Sequence, residues 1–313
     1  MAQTSQLEPV AAPQPAVPEA SRATGLVPLA RAYFELTKPT IIVLLFITTV
    51  PAMVVAAQGW PGTGLVVATL IGGFLSAGSA SALNQFADRD IDQVMRRTRK
   101  RPLPAGLVRP AHAVAFGVAL GVASVAWLAW QVNALSALLS VLAIGVYVGV
   151  YTYGLKRRSV QNIVIGGAAG AAPPLIGWAA VTNSVEAPAL LLFLVVFYWT
   201  PPHFWALSLR LQDDYRLAGV PMMPVVWGET ETKRQIVLYT YLCVALTFIF
   251  GAVAHMGALY FLVAAGAGIG FIVLATQLRR SAGLERAIPV FLYANAYLAA
   301  VFGAMLVDQL LFG

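Results

Sequence analysis

One acidic cluster has the residue types and the spacing of a metal site. Asn84, Asp88 and Asp92 recur at every fourth position, so on a helix their side chains line one face. Their oxygens suit Mg²⁺, which commonly shares its ligand shell with substrate phosphates. Such residues can also simply solvate a helix end, but six basic residues come soon after them: Arg96, Arg97, Arg99, Lys100, Arg101 and Arg109. Acid followed by base predicts a pyrophosphate held through metal and guanidinium groups.

A second polar segment adds three ionisable residues. Asp213 and Asp214 could form a second metal site or cap the turn that follows them. His203 lies upstream of them in an apolar stretch, where an ionisable side chain indicates a functional site. A hydrogen-bonded packing histidine is an equal alternative there. The single Cys243 lies in an apolar run, which excludes an intramolecular disulfide.

The elements that must position these residues are apolar helices. Of the 313 residues, 59% are hydrophobic and 11% are charged, whereas a soluble domain has about 25% charged residues. Apolar runs of ~20 residues predict an all-α membrane protein with about nine transmembrane helices. The predicted spans cover residues 40–58, 63–83, 111–131, 134–153, 160–181, 187–207, 235–254, 258–278 and 287–311.

The basic residues orient these spans. All 20 Lys and Arg residues precede the first span or fall in alternate loops. The loops near Gly59, Val132, Asn183 and Met256 have none. The N-terminus and both polar segments are therefore predicted to be cytosolic, and the C-terminus periplasmic. The net charge of +7 reports this topology and gives no reason to expect a nucleic-acid partner.

The first thirty residues differ from the rest of the chain. Residues 1–30 are rich in Ala, Pro and Gln, a composition that predicts a disordered cytosolic tail. Residues 31–313 then form the membrane domain. The tail lacks the pattern of a secretory signal and fits a mitochondrial presequence poorly, which favours a bacterial inner membrane.

Two acidic segments at one mouth of an apolar bundle suit one type of reaction. An isoprenyl diphosphate would bind by its head at the mouth and place its tail between the helices. Ionisation would expel pyrophosphate and leave an allylic cation. Mg²⁺ and Arg would stabilise the charge on the leaving group, and a dry apolar cavity would protect the cation from water.

Longer stretches of the chain resemble the intramembrane aromatic prenyltransferases, the superfamily of 4-hydroxybenzoate polyprenyltransferase. The first acidic motif is shared by that whole superfamily. The stretches around Pro173 and His203 resemble its haem-farnesylating branch in particular. The resemblance covers nearly everything after Leu36 and rests on residues 36–39, 84–92, 97–106, 156–157, 161–178, 202–207 and 213–224.

The resemblance implies a fold of nine helices around a central cavity that opens to the cytosol. It implies Mg²⁺-dependent transfer of farnesyl from farnesyl diphosphate to a vinyl group of haem b, with addition of water. Asn84, Asp88 and Asp92 match the first diphosphate motif, and Asp213 and Asp214 match the second. Arg210 stands where many relatives outside the haem branch carry an acid, which leaves a second Mg²⁺ open.

The resemblance also implies roles for other residues and partners. Arg97, Arg101, Lys156 and Arg157 are candidates for pyrophosphate or haem-propionate contact, and His203 for haem contact. The implied partners are farnesyl diphosphate, haem b and the lipid bilayer, with haem A synthase or terminal-oxidase assembly factors as candidate protein partners.

Other functions remain open at this level. Prenylation of a quinone precursor such as 4-hydroxybenzoate would use the same diphosphate site. A transporter could place ionisable residues along a path, although these acids sit at one mouth and no inverted repeat is evident. A noncatalytic haem or lipid chaperone would bind haem without diphosphate-dependent turnover.

Overall fold

The computed structural model describes residues 25–313, and every regular element in that range is a helix, as the sequence predicts. The short helices are α1 (Leu26–Leu36), α4 (Arg89–Val94), α9 (Gln212–Leu217) and α10 (Met223–Val226). The long helices are α2 (Pro39–Ala56), α3 (Thr63–Ala87), α5 (Pro110–Gln131), α6 (Ala134–Gly145), α7 (Asn162–Thr182), α8 (Ala187–Arg210), α11 (Gly228–Val253), α12 (Ala258–Arg280) and α13 (Ala287–Phe312). Helix α6 continues directly into a π-helix, Val146–Leu155.

The apolar helices of the described range match the predicted spans. Eight are long and apolar enough to cross a membrane, if α6 and its π-helix are taken together. The ninth is α2, whose apolar stretch Ile42–Ala56 is shorter. The chain is therefore a multi-pass membrane protein.

Most of the predicted tail, residues 1–24, lies outside the described residues. Helix α1 begins at Leu26, so the end of the segment that we predicted as a tail is helical instead. The reason is packing, because Ala32 and Leu36 are buried in a small apolar cluster with residues of α3 and of the loop before α5. The end of α1 is also held by α3, since Ser81 and Gln85 both donate hydrogen bonds to the carbonyl of Leu36, at 2.7 and 2.9 Å.

The nine apolar helices close a ring. Its order is α3, α5, α6, α7, α8, α11, α12, α13 and α2, and α2 returns to α3. The most extensive contacts across the ring are those of α2 with α7 and of α8 with α13. At the first crossing, a Cβ on Gly177 would lie 2.7 Å from the carbonyl oxygen of Thr49, so glycine is needed for this close approach. The α2–α3 contact is slight, and a cavity lies beside it.

The dense core lies on the other side of the ring, among α8, α11, α12 and α13. Trp205, Phe271 and Tyr297 are buried there. Trp199 of α8 donates from Nε1 to the carbonyl of Ala294 in α13 at 2.7 Å. This half provides a rigid frame, while the half formed by α2, α3, α6 and α7 leaves internal space.

We expect Arg109 to face the cytosol and Val185 the periplasm, because the Lys and Arg residues cluster on the side of Arg109. Both side chains are exposed and the native Cys243 is fully buried, so Arg109→Cys and Val185→Cys can serve as single reporters. A membrane-impermeant maleimide added to spheroplasts should label Val185→Cys, and should label Arg109→Cys only after permeabilisation. Labelling of both positions from the same side would disprove the nine-span orientation.

Candidate active site

The first acidic cluster sits where α3 ends and α4 begins. The sequence suggested one continuous helix through this cluster. The helix is interrupted instead, because Asp88 leaves helical geometry with φ −93° and ψ 4°. The helical hydrogen bonds nevertheless persist across the junction, from Asp88 N to Asn84 O at 2.9 Å and from Asp92 N to Asp88 O at 2.8 Å. The side chains stay neighbours for this reason, and Asn84 Nδ2 donates to Asp88 Oδ2 at 2.7 Å.

Each of the three polar residues is buried and has a cation as its partner. Asn84, Asp88 and Asp92 are at most 2% exposed. Lys156 forms an ion pair with Asp88 Oδ2. Arg101 donates from Nη1 to both carboxylate oxygens of Asp92, at 2.8 and 3.0 Å. The structure therefore brings together the first acidic motif and two of the basic residues singled out in the sequence.

The third cation is Lys38, which the sequence analysis did not select. Its Nζ donates to Asn84 Oδ1 at 3.1 Å, and its backbone is left-handed, with φ 53°, where the chain turns from α1 into α2. Burial, followed by the charges of Arg101 and Lys156, lowers the pKa of Lys38 to about 7. The signal in the sequence that could have identified Lys38 is its position as a single lysine directly before the first predicted span.

A π-helix brings the Lys156 side chain to the acidic cluster. Its wider turn shows in the bond from Lys156 N to Tyr151 O at 2.8 Å, five residues back. Thr152 Oγ1 donates to Tyr147 O at 2.7 Å and accepts from Asn84 Nδ2 at 3.1 Å. Thr152 thus ties α3 to the π-helix directly behind the cluster. Such local widening of a helix is frequent at functional sites.

The cluster fits a hard cation in one specific respect. Asp88 Oδ1 is buried and has no hydrogen-bond partner in the described structure, which is costly unless something else binds it. The nearby donors are carboxylate and amide oxygens, the type that Mg²⁺ prefers. Within residues 25–313 no three His, Cys, Asp or Glu side chains group together. A metal here would therefore have two protein carboxylates and one amide and would need further oxygens from a ligand.

The two remaining basic candidates lie differently. Arg97 lines a pocket at the mouth together with Glu35, Lys38, Gln85, Lys100, Arg101 and Pro102. Arg157 is partly exposed and forms a double hydrogen bond with Asp90, at 2.6 and 2.7 Å. That bond is the main reason why the pKa of Asp90 is lowered. Arg157 also donates to the carbonyl of Ala87, so it holds the α3–α4 junction.

The second polar segment divides into an exposed and a buried part. Asp213 and Asp214 both lie in the first turn of α9, where acids are favoured by the helix dipole. The Asp213 side chain is 84% exposed and pairs with Arg216 at 2.6 Å, whereas Asp214 is buried. The neighbouring Tyr215 is buried, which raises its pKa, and the charges of Arg97 and two other site cations oppose that shift. The buried part of α9 therefore lies beside the basic residues of the first site.

His203 is packed between aromatic rings in α8. It stacks on Trp199 with a centroid distance of 4.3 Å and on Phe291 of α13 at 4.6 Å. Its Nδ1 is buried and has no hydrogen-bond partner in the described structure. His203 does not line the cavity between α2, α3, α6 and α7. Any ligand that it contacts therefore approaches from the α8–α13 side.

The cavity begins at Lys38, which donates to Asn84 of the acidic cluster, and runs inward along α2 and α3. Lys38 lines both this cavity and the basic pocket at the mouth, so the two spaces meet there. The walls are mainly apolar or small residues: Thr37, Lys38, Ile42, Leu45, Phe46, Thr49, Thr69, Leu70, Gly73, Ser76, Ala77, Ala80, Ser81, Ala143, Ile144, Tyr147, Ala169, Gly170, Ala172, Pro173 and Ile176. The arrangement can hold an anionic head group at the mouth and an apolar tail inside.

Known proteins share both the sequence and this architecture. "Protoheme IX farnesyltransferase" of Nocardia farcinica is 50% identical over 285 residues, which cover 90% of each chain. A solved structure of digeranylgeranylglyceryl phosphate synthase superposes with a TM-score of 0.75 at 18% identity, over 90% of this chain and 98% of the other. A UbiA homologue from Archaeoglobus fulgidus, solved with DMAPP and Mg²⁺, superposes with a TM-score of 0.61 at 17% identity, over 87% and 98%.

These likenesses agree with a match to a whole family. The sequence profile of the UbiA prenyltransferase family matches residues 45–301, which is most of the chain. The matched region includes the acidic cluster, the π-helix, the second polar segment and nearly all of the nine apolar helices. The chain belongs to the UbiA prenyltransferase family.

Proposed function

We propose that this enzyme transfers the farnesyl group of farnesyl diphosphate to a vinyl group of haem b, with addition of water. The observation that carries the proposal is the buried cluster of Asn84, Asp88 and Asp92, which meets three cations at the mouth of an apolar cavity. The acceptor is inferred from the protein of Nocardia farcinica, whose name gives protohaem IX as its substrate and whose chain is half identical to this one.

Asn84, Asp88 and Asp92 are proposed to hold Mg²⁺ against the diphosphate. Asp88 Oδ1 is the first ligand to expect, because it is buried and unpartnered. When bound, the metal would neutralise charge on the departing phosphate oxygens. The related protein solved with DMAPP and Mg²⁺ supports a metal-dependent reaction of this kind.

Lys38, Arg101 and Lys156 are proposed to bind the diphosphate. Each already donates to the acidic cluster and lies at the boundary between the mouth and the cavity or beside it. As the carbon–oxygen bond breaks, its electron pair leaves with the diphosphate, and positive groups held at that point stabilise the developing charge. The same groups then keep the product anion away from the allylic cation.

The apolar cavity supplies the rest of the chemistry. It keeps water from the allylic cation, so that the cation lasts until the vinyl group reacts. The vinyl π electrons form the new carbon–carbon bond, which leaves a cation delocalised into the porphyrin. A water molecule adds to that carbon and loses a proton. In this scheme no side-chain nucleophile takes part.

Haem is proposed to approach from the α8–α13 side, near the end of α8 that leads into α9. His203 would contact it and Arg97 would face a propionate, since Arg97 lines the outer pocket while Arg101 is engaged by Asp92. Asp214, on the buried side of α9, would contribute to substrate binding. The exposed Asp213 and the junction-holding Arg157 are expected to contribute through local structure. We place the enzyme in the bacterial inner membrane, with this mouth in the cytosol.

Purified enzyme in detergent, given haem b, farnesyl diphosphate and Mg²⁺, should yield haem heavier by one farnesyl group and one hydroxyl group. The mass spectrum of extracted haem measures this directly. Chelation of Mg²⁺ should abolish the product. If 4-hydroxybenzoate is prenylated instead while haem keeps its mass, the acceptor assignment is wrong.

Asp88→Asn should lower kcat about 10²–10³-fold, as loss of one transition-state charge contact typically does. Asp213→Asn is the matched control, because this carboxylate is exposed and pairs only with Arg216 in its own helix. It should stay within about threefold of the parent. Thermal unfolding of both variants in detergent would show that the fold is intact. Equal rates for the two variants at limiting Mg²⁺ would remove Asp88 from the site.

His203→Ala should weaken haem binding at least about tenfold while binding of a farnesyl diphosphate analogue changes little. His203→Phe separates contact from packing, because a phenyl ring can keep the stacking on Trp199 and Phe291 but offers no nitrogen. Haem titration followed by absorbance, on both variants, measures the difference. If His203→Phe binds haem like the parent, the histidine serves packing only.

A further inference from the structure

The cavity has a measurable depth along α3. Of its lining residues, Ser81 lies three positions before Asn84 and Thr69 lies fifteen positions before it. At ~1.5 Å per residue the cavity extends from roughly 5 Å to roughly 22 Å from Asn84. On the opposite walls, Thr49 of α2 and Ile176 of α7 lie toward the same inner end.

This depth can be compared with a prenyl chain. An isoprene unit adds four main-chain bonds, and an extended peptide unit of three bonds spans at most ~3.3–3.6 Å, so one isoprene unit spans roughly 4.5 Å. Three units then reach roughly 14 Å and four reach roughly 18 Å on the same scale. Gly73, eleven positions before Asn84, lies at about 16 Å. The prenyl chain begins at the outer end of the cavity, beside Ser81 and roughly 5 Å from Asn84. Its third unit then lies between roughly 14 and 19 Å from Asn84, beside Gly73, and a fourth unit would need roughly 23 Å, beyond the inner end at Thr69.

Gly73 leaves open space at this depth. A Cβ built on it meets no heavy atom within 4 Å, and Gly73 lines the cavity. Its neighbour Gly72 differs, because a Cβ there would lie 2.3 Å from Leu128 Cδ2 of α5. Gly72 is therefore needed for close helix packing, whereas the space beside Gly73 is part of the cavity and is available to a ligand.

We propose that Gly73, together with Thr69, Leu70 and Ile176 at the inner end, sets the prenyl chain at three isoprene units. The inference rests on the proposed function, because it takes the prenyl tail as the occupant of the cavity. Continuity supports that occupant, since Lys38 lines the cavity and donates to Asn84 of the diphosphate site. A larger side chain in place of Gly73 would occupy the space of the third unit. A side chain smaller than Leu70 at that position would make room for a fourth unit.

The test is the affinity of non-hydrolysable thiolodiphosphates with two, three and four isoprene units, measured with Mg²⁺ and without haem. Gly73→Leu should bind the three-unit analogue at least about tenfold more weakly, because two buried methylene groups already account for that factor. Its affinity for the two-unit analogue should stay within about threefold of the parent. Gly266→Leu is the matched control: its Cβ also meets nothing within 4 Å, but it lies on the exposed side of α12.

Leu70→Ala tests the opposite direction and remains informative if Gly73→Leu does not fold. It should improve binding of the four-unit analogue relative to the three-unit analogue by about threefold or more. Equal effects on all chain lengths in a folded Gly73→Leu, or an unchanged length profile in both variants, would overturn the proposal. Because no acceptor is present, a wrong haem assignment leaves the length profile intact. Failure of the parent enzyme to bind any of the analogues would instead contradict the proposed function.

Discussion

Compensation of buried charge is the constraint on which the rest of this structure depends. Two carboxylates and an amide lie in the protein interior at the end of α3, and each has a cation from a different part of the chain. Removing one partner of such a buried pair typically costs ~3–5 kcal/mol. The turn before α2, the π-helix after α6 and the loop before α5 must therefore all converge on one point. The apolar helices determine that the chain crosses a membrane, and the charge network determines how the helix ends on its own side of the bundle meet.

The same network would allow the site to accept the proposed ligands without a large rearrangement. Lys38, Arg101 and Lys156 act as counter-ions of the acidic cluster when no diphosphate is bound. The proposed diphosphate and divalent cation would bring both signs of charge, so the carboxylates would hold the metal while the ammonium and guanidinium groups would bind the phosphate. The unpartnered Asp88 Oδ1 is the position from which this exchange of partners would begin. Burial is the main cause of the low pKa of Lys38, and the charges of Arg101 and Lys156 lower it further, so an incoming anion would oppose that shift.

Much of the architecture was predictable because it follows from local pattern. Apolar length predicted the spans, and four-residue spacing predicted that Asn84, Asp88 and Asp92 would be neighbours, which survived the break at Asp88 because the helical hydrogen bonds continue. The π-helix was not predictable, since a 3.6-residue period cannot reveal a turn closed five residues back. Lys38 was missed, and Arg157 could not be told from Lys156, because pairings across many residues depend on tertiary packing. The same limit hid the difference between the exposed Asp213 and the buried Asp214.

The two halves of the ring divide stability and function between them. An internal cavity destabilises a fold in proportion to the contacts that are missing, so the half that keeps space for a substrate tail cannot also supply most of the packing. Aromatic side chains fill the half formed by α8, α11, α12 and α13, and Trp199 joins α8 to α13 by a hydrogen bond. Helices α2 and α7 belong to the cavity half, contact α13 and α8 of the dense half, and touch each other at Gly177. The wall of the cavity is thus held by the dense half, which lets residues such as Gly73 remain small without loss of the fold.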